Sequence, residues 1–235
     1  MSLQGQVIVV TGSTGGLGPA VVRACLRAGA AVVASYRGQR DQDELRRWFG
    51  AEDNQLRLVP ADLTEESGAV ALTDCAMQQY GRLDGWLNLV GGYAGGIPVA
   101  DLELADLEAM LTLNLRTAFL GSRTAFRAMQ PRQRGSIVNV SSLGALRGTA
   151  GHAGYAAAKA AVIRLTEALA AEGAPYGIRA NVVLPGVIDT PANRAAMPEA
   201  DRSTWVAPED VADVLVFLLS DAARSITGAS IPIGG

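Results

Sequence analysis

Short apolar runs rich in valine and isoleucine recur along the chain, separated by longer stretches whose apolar positions follow helical spacing. "QVIVVTG" leads into the helical pattern "PAVVRACLRAG", "AAVVASY" into the polar helix "DQDELRRWFG", and "LRLVPADL" into a helix around "GAVALTDCAMQQYG". The run "LDGWLNLVGG" precedes one long helix near residues 101 to 129. Then "GSIVNVSS", "IRANVVLPG" and "GASIPIGG" alternate with a helix opening at "GYAAAK" and another near residues 208 to 220. Strands apolar on both faces and separated by helices predict a parallel sheet covered on both sides, with right-handed crossovers. The pattern predicts an α/β fold, a doubly wound, Rossmann-type parallel sheet of about seven strands in a single domain spanning 1–235. Its ligands should bind beyond the carboxyl ends of the strands.

Composition narrows the function. Of 235 residues, 49% are hydrophobic and 18% charged, enough apolar side chains for one large core. A net charge of −3 supplies no basic surface for a phosphate backbone, so a small-molecule partner is expected and nucleic acid is not. Cys25 and Cys75 stand apart, and His152 is the only histidine, so no metal site is expected. No apolar run approaches a membrane span, and "MSLQGQVIVVTG" enters a strand without a leader pattern, which makes the cytoplasm the expected compartment and a membrane partner unexpected.

"TGSTGGLGPA" follows the first strand and opens a helix, placing Gly12, Gly16 and Gly18 where the chain turns tightly and a pyrophosphate could approach the helix N terminus. Pro19 suits the first helical turn. An ordinary tight turn is the alternative, but the strand, turn, helix context favours a dinucleotide. The second strand ends in "ASYRGQR". An acid there would accept from a free 2′-hydroxyl, whereas a cation pairs with a 2′-phosphate. Tyr36 and Arg37 therefore favour NADP(H) over NAD(H). Alternatively Arg37 and Arg40 are merely solvated, and the glycine-rich loop offers no second cation. Asp62 in "PADLT" either lies beside the adenine or serves as a cap or turn residue. Tyr155 and Lys159, four apart on a helix, share a face. They read either as a tyrosine packed on a lysine stem or as a general acid whose phenol a nearby ammonium makes more acidic.

Four ordered motifs, "TGSTGGLG", "VNVSS", "YAAAK" and "LPGVIDT", resemble those of the short-chain dehydrogenases/reductases over nearly the whole chain. One departure is "NLVGG" at residues 88 to 92, which keeps only Asn88 and Gly91 of the usual NNAG. The resemblance implies hydride transfer between a nicotinamide and a carbonyl/alcohol pair, with Asn114, Ser142, Tyr155 and Lys159 as the catalytic tetrad. In that scheme Tyr155 moves the proton, and Ser142 binds the substrate oxygen while Ser141 supports the strand end. Lys159 acidifies the phenol and holds the nicotinamide ribose, and Asn114 helps anchor a water that relays protons to the lysine; a helix-packing contact is its alternative. The resemblance also implies cofactor contacts from Gly12, Ser13, Gly16, Leu17, Gly18, Tyr36, Arg37, Asp62, Leu63, Asn88, Gly91, Tyr155, Lys159, Pro185, Gly186, Ile188 and Thr190. Thr190 could instead cap the next segment.

Tyr93, His152, Met197 and Trp205 are candidate substrate contacts, with a proline-limited lid near 190–207. His152 could equally make a helix-terminal hydrogen bond. "GGYAGG" at 91 to 96 and the lid resemble the quinonoid dihydropteridine reductase branch of the family. That implies an alternative pterin substrate slotted between Tyr93 and Trp205, unless Trp205 packs under the lid and Tyr93 faces solvent. The branch favours NADH and lacks the serine, whereas this chain has Arg37 and Ser142. Leu104, Leu107, Leu111 and Leu115, with Ala157, Ala161 and Leu165, give two helices apolar faces that predict a homodimer or homotetramer.

Overall fold

A computed structural model describes residues 1–50 and 55–234. Its strands are β1 (Val7–Val10), β2 (Ala31–Tyr36), β3 (Leu56–Pro60), β4 (Gly85–Asn88), β5 (Gly135–Val140), β6 (Ile178–Pro185) and β7 (Ser230–Ile233). All pair in parallel as one seven-stranded sheet in the order β3-β2-β1-β4-β5-β6-β7. The helices are α1 (Gly18–Arg27), α2 (Gln39–Phe49), α3 (Glu66–Tyr80), α4 (Leu104–Met110), α5 (Thr117–Met129), α6 (Ala153–Gly173), α7 (Pro191–Ala196) and α8 (Pro208–Leu219).

The alternation within β1 shows why the strands read as continuously apolar. Ile8 and Val10 point into a core shared with Val22 and Cys25 of α1, Leu45 of α2 and Leu215 of α8. Val7 and Val9 point into the opposite core with Leu72 of α3, Met129 of α5 and Leu169 of α6. Each such side chain contributes roughly 1.5–3 kcal/mol when fully buried, so both faces must stay covered. From β1 the chain winds outward through β2 and β3, then returns to β1's other side as β4. Connections on either side of this switch point diverge and leave a crevice at the carboxyl ends of β1 and β4.

The single helix that the sequence predicts near residues 101 to 129 is instead interrupted. A short 3-10 turn, Val99–Asp101, precedes α4, and Leu111–Arg116 winds as a π-helix between α4 and α5. Asn114 lies in that segment and donates from Nδ2 to the Met110 carbonyl at 3.1 Å, taking an acceptor that the regular helical ladder would use. Among the described residues no helix is long and apolar enough to cross a membrane.

Candidate active site

Glycine geometry shapes the crevice. Gly12 has φ of +65°, and a Cβ there would stand 3.0 Å from the Val90 nitrogen, so the backbone can pass β4's exit only without a side chain. The turn is pinned by bonds from the N–H of Gly15 to the Gly12 carbonyl and from Gly18 to Gly15, each 3.0 Å, and by the Gly12 N–H donating to the buried Ser35 hydroxyl. The resulting cleft, of about 300 Å³, is lined by the glycine loop, Tyr36, Arg37, Asp62, Leu63 and Gly91, and by Val90, Leu113 and Thr117. Its backbone cradle and adjoining helix N terminus fit a dinucleotide.

Four elements bring the tetrad together. Ser142 stands just past β5, its Oγ accepting from the Gly144 N–H at 3.1 Å; Tyr155, from the first turns of α6, lies beside it, since a Cβ at Gly144 would stand 3.5 Å from Ser142 Oγ and 3.8 Å from Tyr155 Cε1. One helical turn on, the buried Lys159 donates from Nζ to the Val140 carbonyl at 3.1 Å. Asn114 clamps the loop after β4 in both directions, accepting from the Gly92 N–H at 3.1 Å and donating to the Gly92 carbonyl at 3.0 Å. Gly91 lies where Lys159 and Asn114 meet: a Cβ there would be 3.0 Å from Lys159 Nζ and 2.8 Å from Asn114 Oδ1.

The electrostatics correct one expectation. Burial pushes the Tyr155 phenol above its ordinary value; the nearby Ser142 hydroxyl opposes the rise, and Tyr93 adds to it. The expected acidification by Lys159 does not govern the phenol, because the ammonium is aimed at Val140 and is itself pulled down to about 8 by burial.

Several side chains among the expected cofactor contacts are engaged within the protein. The Asn88 side chain belongs to a buried network: it accepts from Trp86 Nε1 at 2.8 Å and donates to Ser122 Oγ at 3.0 Å and Asn139 Oδ1 at 2.8 Å. Ser13 spends its hydroxyl on the Val10 carbonyl, and Leu17 is buried in the core, so either can meet a ligand only through its backbone. Leu63 is also mostly core, although it touches the cleft. Asp62 lines the cleft but accepts from the Thr64 hydroxyl at 2.7 Å and the Thr64 N–H at 2.9 Å; these bonds first, then Arg37, hold its carboxyl below the usual range. It is therefore a turn residue as well as a wall. Thr190 takes the capping role: its Oγ1 caps α7 by accepting from the Asn193 N–H, while its methyl faces Gly16 so closely that a Cβ there would stand 2.6 Å away. Pro185 ends β6, the Gly186 N–H donates to the Ile233 carbonyl, and Ile188 bridges to Val206, tying the PG turn to the base of the lid.

On the substrate side, Tyr93 is 62% exposed, yet its ring meets Tyr155 edge-on at 5.1 Å and His152 at 5.7 Å. His152 precedes α6 without capping it through its side chain; Nδ1 pairs with the Ala150 carbonyl at 2.8 Å. Met197 and Trp205 are half-buried in the lid region, and the Arg202 guanidinium lies over the Trp205 ring at 5.6 Å. Ser141 donates to the Lys159 carbonyl and supports the strand end. Sequence reading missed Ser35 and Asp41 in the cleft wall. Ser35 had a signal, a polar residue inside the apolar run "AVVASY"; Asp41 had none beyond its place four residues after Arg37. Among the described residues no group of three or more His, Cys, Asp or Glu could hold a metal.

Similarity to known proteins agrees with this geometry. The enoyl-(acyl carrier protein) reductase family model matches residues 12–235. Cis-4-hydroxycyclohexanecarboxylate dehydrogenase of Sinomonas cyclohexanicum is 36% identical, with 98% of this chain and 95% of that protein aligned. The crystal structure of levodione reductase superposes with a TM-score of 0.90 at 28% identity, covering 99% of this chain and 97% of that one. ElxO, solved with NADP bound, gives a TM-score of 0.90 at 25% identity, covering 97% and 96%. The chain belongs to the short-chain dehydrogenase/reductase family. It is an oxidoreductase that transfers a hydride between a nicotinamide cofactor and a carbonyl/alcohol substrate.

Proposed function

We propose that this enzyme interconverts a ring ketone and its secondary alcohol, using NADP(H) in preference to NAD(H). The observation that carries the chemistry is Ser142 beside the half-buried Tyr155 ring, one helical turn from Lys159. When bound, the nicotinamide supplies or accepts the hydride. Ser142 then holds the substrate oxygen, and Tyr155 gives it a proton. A phenol raised by burial stays protonated near neutral pH, which suits it as the acid in the reductive direction. Lys159 and Asn114, meeting across Gly91, position the nicotinamide side and feed protons back toward the tyrosine.

Arg37 supports NADP(H), because it lines the cleft at the end of β2, and ElxO binds NADP. Ring substrates are supported by the names of the relatives above, a hydroxycyclohexanecarboxylate dehydrogenase and levodione reductase. They favour the carbonyl/alcohol reading over a quinonoid pterin, as does Ser142 at the phenol. Arg202 over one face of Trp205 further weakens an aromatic slot.

A homodimer or homotetramer is proposed from Leu104, Phe119 and Ala157, which α4, α5 and α6 leave exposed. Leu115 and Leu165 pack partly against the protein's own core, and Leu107 turns toward Gly154, which narrows the apolar face that the sequence pattern suggests.

The test is oxidation of NADPH and of NADH with cyclohexanone-type ketones, acyclic ketones and quinonoid dihydropterin. Turnover of cyclic ketones, faster with NADPH, is expected. Turnover of the pterin alone would overturn the proposal.

A further inference from the structure

The corner of the cleft that meets the adenosine ribose carries more negative charge than a simple 2′-phosphate site should. Its charged lining is one cation, Arg37, and two carboxylates, Asp41 and Asp62. Asp62 turns one oxygen, Oδ1, to the Thr64 hydroxyl and N–H. Asp41 is the carboxylate joined to the Arg37 turn itself. It lies in the first turn of α2, whose cap residue Gly38 offers no side-chain acceptor, and its Oδ2 accepts the Arg37 backbone N–H at 3.2 Å. Among the described residues its Oδ1 has no hydrogen-bond partner. The neighbouring charges are committed elsewhere: Arg40 pairs with Glu44 at 3.4 Å, and Asp43 accepts from Gln39 at 2.9 Å. One loop therefore presents a guanidinium and a carboxylate to the same space, the first suited to a phosphate and the second to a hydroxyl.

We infer that Asp41 is a specificity-determining residue that opposes Arg37: its free carboxylate oxygen accepts from the 2′-hydroxyl of NAD(H) and repels the 2′-phosphate of NADP(H). The enzyme then uses both cofactors, and its preference for NADP(H) is held well below what Arg37 alone would give. This rests on the reading above in which Arg37 faces the ribose 2′-position. The pair also acts mechanically, since the Arg37 N–H bond to Asp41 fixes the turn on which the guanidinium is mounted. Asparagine in place of Asp41 keeps an acceptor oxygen for that bond while removing the charge, so the two contributions separate.

The experiment measures dissociation constants of NADP+ and NAD+ by titration calorimetry for the wild type, Asp41→Asn and Arg37→Ala, at low and high salt. Asp41→Asn is expected to shift the NAD+/NADP+ ratio of dissociation constants toward NADP+ by on the order of five- to tenfold at low salt. That gain should shrink at high salt, because exposed charges are screened. A merely structural role would weaken both cofactors alike and would not depend on salt. Arg37→Ala should weaken NADP+ selectively. If Arg37→Ala behaves so and Asp41→Asn leaves the ratio within twofold of wild type, the assignment of Asp41 is overturned while the NADP(H) reading stands. If Arg37→Ala leaves NADP+ affinity unchanged, that reading falls, and the inference built on it falls too.

Discussion

Gly91→Ala places a methyl group where Lys159 and Asn114 converge, so it tests their packing with a single carbon. The new Cβ would stand 2.8 Å from Asn114 Oδ1 and 3.0 Å from Lys159 Nζ, against ordinary contact at 3.4 Å or more, so a neighbour must yield by roughly half an ångström. Gly91 is not among the positive-φ glycines, so the effect is steric rather than conformational. Lys159 can swing its end, but Asn114 is held by two bonds to Gly92 and one to Met110. Overpacking costs about 1–3 kcal/mol, and a lost hydrogen bond about 1 kcal/mol. We expect a stability loss of about 1–3 kcal/mol by urea denaturation and, because the lysine is displaced from its working position, a fall in kcat of roughly tenfold to a hundredfold. Gly148→Ala is the control, since its Cβ would meet nothing within 4 Å. Stability within about 0.5 kcal/mol of wild type together with unchanged kcat would refute the convergence of these groups at Gly91.

Other perturbations reach different parts of the account. Lys159 is depressed to about 8 in the folded state against an ordinary 10.5, so the unfolded chain binds more protons between those values, and stability rises with pH across that window. Relative to Lys159→Met, the wild type should gain up to about 3 kcal/mol from pH 8 to 10.5. Tyr155 acts oppositely: its raised pKa contributes stability that is full below its ordinary value of 10 and lost as pH climbs through the folded value, so the comparison is cleanest below pH 10. A flat difference between the two proteins would contradict the burial of a charged lysine. For assembly, light scattering should report a dimer or tetramer for the wild type and a monomer for the double variant Phe119→Glu/Ala157→Glu; a monomeric wild type would remove the proposed interface.

The sheet was legible because its central strands are buried on both faces, as Ile8 and Val10 against Val7 and Val9 show, and burial on both sides leaves an unbroken apolar run. The break at Leu111–Arg116 was not legible. A π-turn leaves the apolar spacing almost unchanged, and of the Asn114 bonds that accompany it, the one to Gly92 joins residues 22 positions apart. Motif spacing located Ser142, Tyr155 and Lys159, because one strand end and one helical turn fix their separation. For Asn88 the motif gives the position at β4's end but not the side chain's direction, which alternation turns inward to Asn139 and Ser122. Arg37 was read from one residue type at one strand end, whereas the opposing Asp41 reaches the same cleft only because α2 folds back over the loop.

Tyr155→Phe tests the central claim most directly, since it removes one oxygen and keeps the ring that Tyr93 packs against. With a cyclic ketone found competent, kcat for NADPH oxidation should fall about 10²- to 10⁴-fold, the contribution of a positioned acid, while the dissociation constant for NADPH stays within about threefold of wild type, a free-energy difference near RT. A variant that keeps more than about a tenth of the wild-type kcat, against that expected range, would contradict proton transfer from Tyr155.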